Sequence, residues 1–179
     1  MKAIFLIGML GLFVAPAFAQ SPDFSAECKT QMQKLAYFVG NWKGEATHSK
    51  GLGKTETIAQ QEKIEWRLNG VVLLIEGTGR PMNTEDIVFN AFAVVNYDPA
   101  DKKFKFKSYV KEGFTTNAYF DVVAENKFEW GFDVPNGGGK TRYIITLDPA
   151  KKTWYETGEF SRDGSKWMKF IELNLKKLD

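Results

Sequence analysis

Two stretches of this chain place carboxylates where a β-strand would bury them. In the first, every second residue from Ile58 falls on one face, so Gln60 and Glu62 lie between Ile58, Ile64 and Trp66. In the second, Glu156 falls between Trp154 and Phe160, and Glu172 in the last apolar stretch is a third candidate. A carboxyl group is rarely held in a dry interior unless it is paired. Burial also moves its pKa toward the range of a general acid or base. Either these groups line a polar, water-filled cavity with Arg142 or Arg80 as partners, or they lie near an end and reach solvent.

Other chemistry is poorly provided for. Gly53-Lys54-Thr55 and Gly139-Lys140-Thr141 resemble the tail of a phosphate loop, but His48 and Val134 stand where that motif needs its first glycine. There is no Gly-x-Ser-x-Gly elbow, and one histidine with one cysteine cannot assemble a histidine-rich or thiolate zinc site, so no metal is expected. From Lys103 to Lys107 the lysines and phenylalanines alternate, which puts the charges and the stacking faces on opposite sides. Nucleic acid is therefore not an expected partner.

The elements that must position the carboxylates follow from periodicity. Met1 to Ala19 reads as a secretory signal peptide: Lys2, an apolar run from Ala3 to Val14, and a small-x-small site at Ala17-Phe18-Ala19. Its removal would leave residues 20–179 as one barrel domain with a charge near zero, in the periplasm or outside the cell and without stable membrane insertion. Cys28, the single cysteine, cannot form an internal disulfide and falls on an apolar helical stripe with Met32, Leu35 and Val39. Burial is the expected fate of that thiol, with pairing between chains as the alternative. Ser25 is the expected N-cap of a helix running to about Phe38.

From Asn41 onward the period is two. The expected strands are about Asn41–His48, Thr55–Leu68, Val71–Glu76, Ile87–Tyr97, Phe104–Val110, Phe114–Val122, Phe128–Val134, Arg142–Leu147, Thr153–Phe160 and Lys166–Leu178. Asn69-Gly70 predicts a primed hairpin turn, and Gly77-Thr78-Gly79-Arg80-Pro81 predicts a loop of about ten residues. Asp98-Pro99 and Asp148-Pro149 predict repeated type I turns. In the last strand two parities are open: Met168, Phe170, Glu172 and Asn174 inward, or Trp167, Ile171, Leu173 and Leu175 inward. The sum is an all-β, antiparallel up-and-down barrel of about ten strands, one end closed by the short helix. Such a barrel leaves room for one small ligand.

Leu35-Ala36-Tyr37-Phe38-Val39-Gly40-Asn41-Trp42, Trp66-Arg67-Leu68-Asn69-Gly70, Asn96-Tyr97-Asp98 and Gly164-Ser165-Lys166-Trp167 resemble a family of uncharacterised bacterial secreted proteins with a lipocalin-like, calycin-type barrel. That resemblance implies a fold and no activity. Gly40, Trp42 and Gly44 also match the opening of nitrobindin-type haem barrels, whose axial histidine comes late in the chain. Here no histidine follows His48, which argues against haem, and no cofactor is expected. The resulting expectation is a monomeric exported barrel binding an apolar or aromatic, uncharged or weakly acidic molecule, with Trp42, Gln60, Glu62, Trp66, Trp130, Glu156 and Glu172 as candidate cavity residues. Two alternatives stand beside it: an isomerase or hydrolase using the cavity carboxylates, and an accessory barrel with a filled interior.

Overall fold

The computed structural model describes residues 22–178. The expected signal segment, Met1 to Ala19, lies outside them. Ten antiparallel strands form a closed barrel: β1 (Gly40–Gly51), β2 (Lys54–Arg67), β3 (Val72–Pro81), β4 (Phe89–Asp98), β5 (Lys103–Val110), β6 (Thr115–Ala124), β7 (Lys127–Val134), β8 (Gly139–Asp148), β9 (Thr153–Ser161) and β10 (Met168–Lys177). Each strand pairs with its neighbours in sequence, and β1 closes the ring against β10. Because the side-chain period is two, this register sends Trp42 and Ala46, Ile58 and Ile64, and Ile145 and Leu147 to the interior. The lysines of β5 face out, where Lys105 meets Asp98 and Asp101.

The helix α1 (Ser25–Met32) and a 3-10 segment, Gln33–Phe38, close one end. Cys28, Met32, Leu35 and Phe38 are buried there, and the Cys28 thiol meets the Tyr97 carbonyl at the end of β4. Phe38, Trp42 and Trp154 pack edge to face, at centroid separations of 5.1 and 5.6 Å about Trp154. The Trp42 indole N–H donates to the Phe38 carbonyl at 2.7 Å, which fixes the step from the 3-10 segment into β1.

Several local expectations are corrected. Phe24, not Ser25, is the N-cap; Ser25 is already helical, and its N–H donates to Asp23 Oδ1 at 2.9 Å. The helix also tightens to 3-10 after Met32 instead of running on as α to Phe38. At the β2–β3 connection Leu68, Asn69 and Gly70 all take positive φ, between Arg67 and Val72 that still pair, so it is a four-residue turn and not a two-residue primed one. The segment Gly77–Pro81 is not a loop. It continues β3, with Gly77 opposite Glu62 and Gly79 opposite Gln60, and the connection is the exposed stretch 82–88. In β10 a register shift between Lys169 and Ile171 settles the parity, turning Ile171, Leu173 and Leu175 inward. Glu172 consequently faces out.

Candidate functional site

The barrel encloses a cavity of about 580 Å³. It runs from Phe38 at the helix-capped end to His48, Val88, Phe89 and Val110 at the other. Its wall is mostly apolar, and the polar groups set into it are few: Gln60 and Glu62 of β2, Tyr143 of β8 and Glu156 of β9, the hydroxyls of Ser108 and Thr116, and His48 and Glu56 at the far end. A concave apolar surface with a few fixed polar anchors is the general form of a small-molecule site.

The two carboxyl groups are held differently. The Glu156 oxygens each accept an indole N–H, from Trp130 at 3.1 Å and from Trp154 at 3.0 Å. Burial still outweighs these donors and pushes Glu156 up to about 7. Glu62 accepts one bond, from Gln60 Nε2 to Oε1 at 2.7 Å, while no described residue donates to its Oε2. Burial, with the Glu156 charge adding to it, raises Glu62 to about 8. At neutral pH Glu62 is therefore predominantly the protonated acid, able to donate as well as accept.

Gly77 is what makes room for it. A Cβ at Gly77 would stand 2.8 Å from Glu62 Oε2 and 2.9 Å from Oε1, and one at Gly79 would stand 2.9 Å from Gln60 Oε1. The two glycines of β3 thus form a shallow bed for the polar pair of β2. Beside Glu156 the rings of Phe106, Trp130 and Tyr143 stack, at 4.7 and 3.7 Å between centroids and 18° and 2° between planes. Burial, and the Glu156 charge after it, keep the Tyr143 hydroxyl protonated well above the usual phenol range.

The seven residues proposed from sequence separate into two groups. Gln60, Glu62, Trp130 and Glu156 line the one cavity. Trp42 is buried in the closed end against Trp154, and Trp66 packs, half-buried, against the core; neither lines the cavity. Glu172 lies on the outer face, where Tyr155, Lys169 and Asn174 bond to it, and the Lys169 ammonium holds its carboxyl below the usual range. His48 does line the mouth, a third exposed, with Nε2 3.1 Å from Glu56. Sequence reasoning passed over Tyr143 and Trp154 as site residues, although the alternation through Thr141, Ile145 and Leu147 puts Tyr143 on the inward face.

Neither arginine assigned to the carboxylates reaches them. Arg142 pairs with Glu159 at 2.7 Å and lies over the Trp167 ring, and Arg80 lies beside Glu85. Among the described residues no group of three or more His, Cys, Asp or Glu side chains is placed to hold a metal ion.

No protein-family model matches the chain, and no curated protein does. Among solved structures, the crystal structure of Rv2717c from M. tuberculosis is similar, with a TM-score of 0.62 over 83% of this chain and 97% of that one. The sequence identity is 9%, so the likeness is one of barrel fold.

Proposed function

We propose that this chain is an exported barrel protein, periplasmic or extracellular, that binds a small and largely apolar molecule inside its cavity, as a lipocalin-like, calycin-type barrel would. The observation that carries this reading is the enclosed volume of about 580 Å³ with an apolar wall and a few fixed polar groups, Glu62 foremost. Volumes of about 300–1,000 Å³ are typical of sites for small organic ligands. Binding is expected without a metal or haem, since the lone histidine, His48, is already engaged with Glu56. A closed sheet leaves no strand edge to recruit another chain, which supports a monomer.

Native mass spectrometry of the protein purified from its own host tests this. The expected result is one co-purifying organic molecule and no Soret absorption. A clean apo mass under gentle conditions, with no uptake from a small-molecule panel, would contradict it.

One observation favours a second reading, catalysis: two carboxyl groups poised near neutrality in one cavity, the condition of a general acid or base. Re-incubating the recovered molecule with the protein separates the two readings. Its return unchanged supports binding; conversion by the native protein but not by Glu62→Gln replaces binding with catalysis.

A further inference from the structure

The buried part of the cavity holds two carboxyl groups, Glu62 and Glu156, with a third, Glu56, at the mouth, and no Lys or Arg lines it. Of its lining side chains only His48 can carry positive charge, and that ring sits at the mouth against Glu56, which Lys50 also holds at 2.5 Å. Neither Arg80 nor Arg142 lines the cavity: Arg142 pairs with Glu159, and Arg80 Nε, 3.8 Å from the exposed Glu85, has no hydrogen-bond partner among the described residues. No basic side chain among the described residues bonds to Glu62 or Glu156. Buried carboxylates are ordinarily retained with an opposite charge beside them.

Glu156 is answered by two indole donors, but Glu62 is only 9% exposed and its Oε2 has no donor. The Tyr143 hydroxyl, which lines the same cavity from β8, likewise has no hydrogen-bond partner among the described residues. The mutually stacked Phe106, Trp130 and Tyr143 rings form part of the apolar wall.

We infer that the cavity takes an apolar amine in its protonated form, with the ammonium group on Glu62 and the hydrocarbon or aromatic body along the barrel wall. This rests on the small-molecule reading above and names its ligand class. It departs from the uncharged or weakly acidic molecule expected from sequence, because neither arginine assigned there to the carboxylates lines the cavity. An anionic ligand would meet two acids and no cation. On binding, the proton of Glu62 leaves to solvent as the ammonium ion takes its place, so the complex gains a charge pair and releases one proton. The titratable groups that face this event on the cavity wall are Glu156 and Tyr143, with His48 and Glu56 at the mouth.

The test compares three ten-carbon probes of one shape, decylammonium, decanol and decanoate, by calorimetric titration of the full chain near pH 7, below their micelle concentrations. Decylammonium is expected to bind about tenfold tighter than decanol or better, with decanoate weakest. Buffers of different ionisation enthalpy should report proton release. Glu62→Gln should lose the amine advantage over decanol, its fold checked by its melting curve. Equal affinities, or decanoate tightest, would overturn the inference and leave the binding reading in place. No uptake of any probe would overturn both.

Discussion

Glu62 is neutral at pH 7 because its burial leaves the charged form with one hydrogen bond and a second acid nearby. Its native pKa, about 8, lies above the ordinary 4.5, so between those values the native state keeps a proton that the unfolded chain gives up. The stability this provides is full below 4.5 and is lost as pH rises through about 8. Glu156 adds the same trend, ending at about 7. Thermal melts from pH 5 to 9 should show the native protein weakening with pH, and Glu62→Gln should flatten the curve and melt higher at pH 9. A native curve rising across that range would refute the placement of Glu62.

Cys28 supplies a second test at this scale. Burial raises its thiol, so it should react with a thiol-specific reagent slowly when folded and at once in denaturant. Of the site, Gln60, Glu62 and Glu156 were legible as polar residues out of phase with their apolar strand faces. Glu172 was not, because the β10 register shift that turns it outward leaves no trace in composition.

At the scale of elements, alternation carried nearly everything: all ten strands are legible, and only β3, expected to end at Glu76 and continuing to Pro81, departs by more than a few residues from its observed limits. Turn chemistry carried less. Gly77-Thr78-Gly79 reads as a loop because glycine is rare in strands, yet these glycines are strand positions emptied of side chain so that Glu62 and Gln60 can lie over them. Gly44 is a related case at the seam of the barrel, where a Cβ would collide with the Asn174 carbonyl of β10. Backbone cannot yield as a flexible side chain does, so Gly44→Ala is expected to cost about 3 kcal/mol, at the upper end for overpacking, measured by denaturant unfolding. Trp42 is the anchor of the closed end, 1% exposed and bonded to Phe38. Trp42→Ala should cost about 3–5 kcal/mol, and an unchanged melting temperature would remove that role.

At the scale of the molecule, the helix and the aromatic cluster of Phe38, Trp42 and Trp154 fill one end, while the middle of the barrel stays open around Glu62 and Glu156. Whether side chains meet across the axis depends on the sizes of residues from many strands at once, so the sequence could not decide between a cavity and a packed interior. The central claim is that a ligand enters this space, and the five tryptophans report on it. The Trp130 and Trp154 indoles sit on Glu156 inside the cavity, the Trp42 indole is held in the closed end by Phe38, and that of Trp167 donates to the Gly164 carbonyl. Two-dimensional 1H–15N spectra of the indole N–H groups during titration with the ten-carbon probes are therefore the most direct measurement. The account expects saturable shifts at Trp130 and Trp154 with Trp42 and Trp167 unmoved; shifts at Trp167 with Trp130 and Trp154 silent would contradict it.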